Sequence, residues 1–454
     1  MAFSYHPPTR GHCEVCNRLM NHAVTPIIQT YDGKASSSNG YPFHDWYNFV
    51  LGFTPTFPEY MLKRENITAG NGDIVLDPFG GSGTTQLVCK LNGIESFGVD
   101  ANDFMVFAAS KKLDWVLDPQ VITHARNEIV AYYNQAVANI DQESEESLSK
   151  HADTLRADAL DKRYISDKPL IKIEILRDAV QGLNCNEPHK ELLYFAISSI
   201  LVPVSNVKYG PGFGIGKIKD DVDVLTVFVK KLDMIIKDLS SVNDVQRQTP
   251  AHTILGDSRQ LTDYIEPNTV SLIITSPPYP GDHEYTKHSK LELIFQGYAT
   301  DLASFRTIKK RMIRGSTTNI YRTDNERAKV SNVAEIAEVT DEIDNRLRND
   351  GATSGFEKLY TKLVWEYFGG MCSALEECYK VLKPGGKIAL LVSDSHAFKM
   401  VHIQTAELLR LVGEEIGFIN SEILLWQNKP STSHKYQLRE NILILQKPDK
   451  QEEE

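Results

Sequence analysis

The residues Thr275-Ser276-Pro277-Pro278-Tyr279 follow an apolar run, Ser271-Leu272-Ile273-Ile274, whose composition marks a buried strand. Two successive prolines lock the backbone and withhold two N–H groups, so the Ser276 hydroxyl and the Pro277 carbonyl remain as acceptors facing one point. An exocyclic amino group placed there gives both hydrogens to those acceptors. Its lone pair is then less committed to the ring and can attack an electrophile, while Tyr279 offers an aromatic face for a planar base. Alone, the same peptide is a rigid turn closing a strand, so its company in the sequence decides.

That company begins upstream with Asp77-Pro78-Phe79-Gly80-Gly81-Ser82-Gly83-Thr84-Thr85. It lies where an apolar strand, Asp73 to Asp77, gives way to a helical pattern from Thr84 to Leu91. Glycines let the backbone approach a ligand, and the free N–H groups of a helix start suit a carboxylate or phosphate. One helix later Asp100 ends the next strand, where a carboxylate can accept both hydroxyls of a ribose. Asp257, after the third strand, is either an acceptor for an adenine amino group or an ordinary N-cap.

In this order the motifs resemble those of the amino-methyltransferases of restriction-modification systems. In that family the phenylalanine-glycine loop binds S-adenosylmethionine, and a Ser/Asp/Asn-Pro-Pro-Tyr tetrapeptide is catalytic. The resemblance implies Ser276, Pro277, Pro278 and Tyr279 as catalytic residues. For the cofactor it implies Asp77, Phe79, Gly80, Gly81, Ser82, Gly83, Thr84, Asp100, Asp257 and Ser276, joined by Trp46, Phe53 and Thr54 from a segment, His44 to Pro55, that resembles the family's cover over the methionine end. Leu382 to Lys387 with Asp394-Ser395 resembles the turn into the fifth strand, and Ser433-His434 with Arg439-Glu440-Asn441 the loop into the last.

A leading serine is most frequent in the cytosine-N4 branch of the family, so the expected reaction is methyl transfer to N4 of a cytosine flipped out of double-stranded DNA. Adenine N6 is the nearest alternative. RNA guanine-N2 and protein-glutamine methylation are disfavoured because their tetrapeptides usually begin with Asp or Asn. A DNA-binding defence subunit without turnover is disfavoured by the intact motif. The cofactor loop precedes the Pro-Pro-Tyr motif, which is not the order common among Ser-Pro-Pro-Tyr enzymes. A cognate restriction endonuclease or defence-system subunit is the partner protein that the resemblance suggests.

These motifs need a sheet to hold them. Strands are expected at 73–77, 96–100, 252–256, 269–275, 387–392, 419–426 and 441–446, with helical patterns between. The expected fold class is α/β: a doubly wound, Rossmann-like methyltransferase domain with a mostly parallel seven-stranded sheet, a terminal antiparallel hairpin and a helical insertion. The expected division is an N-terminal extension (1–40), a cofactor-binding part (41–117), a helical insertion for target recognition (118–250), the third and fourth strands with the catalytic motif (251–280), a basic then acidic insertion (281–355), the C-terminal strands (356–447) and a tail (448–454). In the basic insertion Lys309, Lys310, Arg311 and Arg314 are candidates for DNA phosphates, and so is His434 further on; a solvated helix face is the plain alternative for the run.

The chain carries 60 acidic and 49 basic residues, a net charge of −11, so no global positive field attracts nucleic acid and contact must be local. Six cysteines in 454 residues, without an apolar leader, fit a reducing cytoplasm. No apolar run is long enough to cross a membrane. Cys13 and Cys16 have the spacing of half a zinc site but no second pair, so no metal is expected and two reduced thiols are. The glycine-rich segment 210–217 lacks the residues of a phosphate-binding P-loop and reads as a mobile loop.

Overall fold

The computed structural model describes residues 25–26, 41–140, 142–210, 212–281, 283–350, 354–430 and 437–449. Cys13, Cys16 and His434 lie outside them. The strands are β1 (Thr25–Pro26), β2 (Ile74–Asp77), β3 (Glu95–Asp100), β4 (Val207–Tyr209), β5 (Phe213–Ile215), β6 (Ala251–Leu255), β7 (Val270–Thr275), β8 (Leu382–Ser393), β9 (Ile419–Pro430) and β10 (Gln437–Gln446). The main sheet has the order β1-β9-β10-β8-β7-β2-β3-β6. All seven expected strands are in it, and the short β1 adds an edge. Only β10 runs antiparallel, pairing with β8 on one side and β9 on the other.

Side-chain alternation dictates two covered faces. On one, Val75, Leu272 and Ile274 meet Phe57 and Met61 of α1 (Thr56–Arg64) and Val88 of α2 (Thr84–Leu91). On the other, Leu76 and Ile273 join the core that contains the helices Tyr360–Val381 and Thr405–Ile416. Chain direction and packing together make the sheet doubly wound.

After α3 (Asp103–Leu113) come α4 (Pro119–Ile140), α5 (Glu145–Leu155), α6 (Asp167–Gly182), α7 (Glu187–Val204), α8 (Val224–Leu239) and α9 (Asp244–Gln248), with the β4–β5 hairpin between α7 and α8. The α8 stripe Val224, Phe228, Leu232, Ile235 and Leu239 follows helical spacing, and Asp223 caps its start by accepting from Thr226 N. This stripe shares one apolar core with Leu87 and Phe104 of the sheet-covering helices. The helical block is therefore fused to the sheet and has no core of its own.

The remaining helices are α10 (Lys290–Phe295), α11 (Leu302–Arg311), α12 (Ala334–Asn349), α13 (Tyr360–Val381) and α14 (Thr405–Ile416). Buried Glu292 of α10 accepts from Tyr47 Oη at 3.1 Å and Tyr209 Oη at 2.8 Å. One carboxyl thus fastens the segment before α1, the β4–β5 hairpin and α10 to each other. Burial pushes its pKa up to about 7, against the two hydroxyl donors that lower it.

Candidate active site

Strand order reverses between β2 and β7, and in a sheet of this kind the carboxyl ends at such a point open a crevice. The crevice here encloses about 830 Å³, counting the space open to solvent. Its walls include Phe53, Phe79, Gly80, Gly81, Ser82, Thr84, Asp100, Ser276 and Pro278. Loops far apart in sequence add Asn102, Met105, Ser258, Tyr285 and the run Arg311-Met312-Ile313.

The glycine loop is held from below. Asp77, fully buried, accepts from Thr275 Oγ1 at 2.6 Å and from Phe79 N at 3.0 Å, tying the loop to the start of the catalytic motif. Gly80 N donates to Val99 O at 2.9 Å, and a Cβ on Gly80 would stand 3.3 Å from Gly98 Cα. Gly81 and Gly83 have φ of +49° and +82°, the left-handed region that glycine reaches without strain. A Cβ on Gly81 would meet only Phe79 O, at 3.9 Å, so it would project into the crevice.

Asp100 organises the opposite wall. Its Oδ2 accepts from Gly81 N and its Oδ1 from Asn102 N, both at 2.8 Å. Each oxygen has a second lone pair, so the carboxylate can still take two hydroxyl donors. Burial raises its pKa to about 6, opposed by those two N–H groups.

The Ser-Pro-Pro-Tyr motif is oriented by its neighbours. The Ser276 hydroxyl donates to Leu391 O at 3.0 Å, and the Tyr279 hydroxyl lies 3.1 Å from Ser276 Oγ. With the serine proton committed to the β8 carbonyl, Tyr279 is the donor of the second bond, and Ser276 keeps a lone pair. Tyr367 Oη donates to Pro278 O at 2.9 Å, and Tyr285 Oη accepts from Tyr279 N at 3.3 Å. Pro277 is buried behind them. Tyr279 lines a second chamber of about 640 Å³, again including open space, which adjoins the crevice through Leu51, Gly52, Phe53 and Tyr285.

A family model described as DNA methylase matches residues 26–119 and 270–454. The chain belongs to this family. Its S-adenosylmethionine cofactor fits what the crevice offers: a glycine cradle that a Cβ would fill, an acceptor at Asp100 and an apolar wall at Phe53 and Phe79. The chain is similar to the Type II methyltransferase M.BsoBI of Geobacillus stearothermophilus, 25% identical over 453 residues that cover 89% of this chain and 86% of the relative. It is 22% identical to M.AvaI of a Nostoc species over 451 residues, 90% of this chain and 87% of that one. M.MjaII of Methanocaldococcus jannaschii is 47% identical over 62 residues, covering 13% of this chain and 11% of the relative.

Several candidate residues of the methylase lie away from the crevice. Trp46 is fully buried, packed on Phe43 and Phe195, and its Nε1 donates to Asp238 of α8 at 2.8 Å; it is an anchor for the helical block and cannot touch the cofactor. Asp77 works beneath the loop, and Gly83 faces Ala109 of α3, with a Cβ there 3.0 Å from the alanine methyl. Asp257 caps the 3-10 helix Ser258–Asp263 and is gripped by Arg259, so the crevice wall beside it is Ser258. Thr54 lines the second chamber.

The basic run also divides. Arg314 is buried and paired with Asp324 at 3.0 Å, so it cannot reach a phosphate. Lys309 pairs with buried Glu284 at 2.6 Å, and Arg311 pairs with Asp103 at the crevice wall. Both are occupied inside the protein, where acidic partners distant in sequence meet them. Lys310, at the end of α11, stays exposed beside Arg306 and Arg322. Sequence reading missed Asn102, Tyr285 and Met312-Ile313 at the crevice and His283, Trp426, Gln427 and Lys429 at the second chamber; it took Arg311 for a DNA contact and Glu440 for part of a loop. Position after the carboxyl ends of β3 and β7, near that of β9 and at the start of β10 was the available signal. Among the described residues no group of three or more His, Cys, Asp or Glu is placed to hold a metal, and no helix is long and apolar enough to cross a membrane.

The Asp100 carboxyl gives the crevice a pH dependence with a definite sign. Its folded pKa lies above the ordinary 3.8, so its contribution to stability is complete below 3.8 and lost as pH rises through about 6. Binding has the opposite sign, because the ionised form is the better acceptor for ribose hydroxyls. Between pH 7 and pH 5 the S-adenosylmethionine Kd is expected to rise about tenfold, following the ionised fraction. Calorimetry across that range should show the rise in the native chain and a flat profile in Asp100→Asn; a flat native profile would remove Asp100 from the site.

Proposed function

We propose that this methylase transfers a methyl group to the exocyclic N4 of a cytosine flipped out of double-stranded DNA. The observation that carries the reading is Ser276, which lines the crevice and whose hydroxyl donates to Leu391 O, so that it is left with acceptor capacity. Bound S-adenosylmethionine supplies an electrophilic methyl on a positively charged sulfur. Phe53, Phe79, Gly80, Gly81, Ser82, Thr84 and Asp100 hold it in the crevice. The Ser276 hydroxyl and the Pro277 carbonyl take the two amine hydrogens, which turns the nitrogen lone pair out of the ring plane, and Pro278 keeps the motif rigid. Tyr279 stacks on the base in the second chamber, which a base can enter only after leaving the duplex stack. The proton released on transfer leaves to water. Resemblance to restriction-modification enzymes makes a cognate endonuclease the expected partner.

Digesting methylated DNA to nucleosides and separating N4-methylcytosine from N6-methyladenine by mass spectrometry tests the base. N6-methyladenine as the only product would end the cytosine reading and leave the cradle intact.

DNA is held near the chamber by exposed cations after the catalytic strand, Arg306, Lys310 and Arg322. Replacing all three by Gln is expected to weaken binding to every sequence and to lower the log–log salt slope by about 0.9 per lost phosphate contact. The same substitution at Arg314 should leave the slope unchanged and destabilise the fold instead. Fluorescence-anisotropy titrations over a range of salt separate the two; an unaltered slope in the triple variant would make this face merely solvated.

A further inference from the structure

Beyond the acceptors for the amine, the second chamber contains a polar wall that the proposed reaction does not use. Glu440 of β10 stands opposite Gln427 of β9 in the antiparallel ladder and is 2% exposed. The Gln427 amide donates to one of its oxygens and the Lys429 ammonium to the other. Gln427 and Lys429 are two residues apart on one strand, so both side chains stand on the same face. All three line the chamber with Tyr279. Nearly buried and bonded on both oxygens, the Glu440 carboxylate holds the two donors in place. An ammonium has three protons, and one bond to Glu440 leaves others for an acceptor inside the chamber.

The edge of cytosine that follows its amino group carries two acceptors in succession, N3 and O2. Adenine carries one acceptor, N1, followed by a C2–H. We propose that Lys429, positioned by Glu440, is a specificity-determining donor to O2 of the flipped cytosine, with Gln427 beside it toward N3. Lys429 is 45% exposed in the open chamber, so a base that enters strips water from it. Cytosine replaces that water with an acceptor. Adenine leaves a desolvated cation facing a C–H, and such an unmatched polar group is what gives a site strong discrimination. This assignment rests on the N4-cytosine reading above.

The test is a cycle with the isolated full chain and a duplex bearing the target site found by sequencing methylated DNA. One duplex carries cytosine at the target; the other carries a 2-aminopyridine C-nucleoside, which keeps the amine and the ring nitrogen but lacks O2. The native chain is expected to lose at least tenfold in kcat/KM on the second duplex. Lys429→Met should lose at least tenfold on cytosine and no more than twofold further on the isostere, with S-adenosylmethionine affinity unchanged, and Lys429→Arg should restore most of the loss. Losses that add across the cycle would overturn the assignment, since independent effects add. So would a native chain indifferent to the missing O2, a result that needs no variant. If the native product is N6-methyladenine, the cytosine reading fails and takes this one with it; if it is N4-methylcytosine and the cycle is additive, only this inference falls.

Discussion

Ser276→Ala is expected to lower kcat on the order of 100-fold, the scale seen when one preorganised transition-state hydrogen bond is removed, while S-adenosylmethionine and DNA bind as before. The reason lies in timing. An exocyclic amine is nearly planar and weakly basic in the ground state, so a hydroxyl acceptor gains little from it at first. As the nitrogen bonds to the incoming methyl, its N–H groups become acidic and the Ser276 lone pair becomes valuable. An interaction that strengthens along the reaction appears in kcat and not in KM. Tyr279→Phe should fall between the two, because it retains the stacking ring but loses the hydroxyl 3.1 Å from Ser276 Oγ. Tyr279→Ala removes the stack as well, worth about 1–3 kcal/mol for a single base. Single-turnover rates with saturating DNA and cofactor measure the step directly; a Ser276→Ala chain as fast as the native one would dissolve the cradle.

Gly81→Val should abolish measurable cofactor binding, with at least 100-fold loss of affinity. Two causes act together. The backbone at Gly81 has φ of +49°, where a β-branched residue costs about 1–3 kcal/mol, and relaxing that strain would pull Gly81 N from its bond to Asp100. If the backbone holds, the valine methyls project into the crevice, because nothing but Phe79 O stands near the new Cβ. Either path removes the cradle, and 100-fold corresponds to about 2.7 kcal/mol. Gly81→Ala separates the causes, since it has the strain with little of the bulk. Calorimetry on variants with native melting curves is the measurement, and undiminished affinity in Gly81→Val would place the methionine moiety elsewhere.

The strands were legible where their faces are apolar. The expected third and fourth strands differ from β6 and β7 by a residue at their ends, because alternation and Pro-rich or Gly-rich stops mark them from within. Three strands were longer than their patterns, among them β10, which starts at Gln437 and not Asn441. β8 starts at Leu382, not Lys387: Pro384-Gly385-Gly386 reads as a turn, yet Gly385 N donates to Lys447 O and Lys447 N to Gly386 O, which keeps the segment in the ladder. β9 runs to Pro430, not Trp426, through the polar residues Gln427, Asn428 and Lys429. Gln427 and Lys429 face a chamber and Asn428 is exposed, so no core selects their hydropathy, and nothing apolar betrays the strand.

The site was legible where chemistry constrains the backbone and illegible where it depends on distant partners. Two prolines or two left-handed glycines announce themselves in a string of letters. The burial of Arg314 does not, because it depends on Asp324, and neither does the occupation of Arg311, because Asp103 comes from the start of α3, more than two hundred residues upstream. Trp46 misled for the same reason: its partner Asp238 sits on α8, and no local pattern predicts that the helical block folds back over the segment before α1. Charge runs show supply, and only the fold shows demand.

The insertion of β10 between β8 and β9 has a consequence for how the enzyme comes into being. The strand that closes the sheet is the last in chain order, so β8 and β9 are synthesised as neighbours that cannot yet be joined, with open edges until the end. Leu391, whose carbonyl sets the Ser276 proton, lies on β8 directly opposite Ile442, and Glu440 arrives on β10 itself. A chain that stops before residue 437 therefore lacks the backing of its acceptor and one wall of its base chamber. Premature termination is expected to yield an inert fragment and not an indiscriminate methylase, so that only chains whose synthesis has passed β10 would carry out this chemistry.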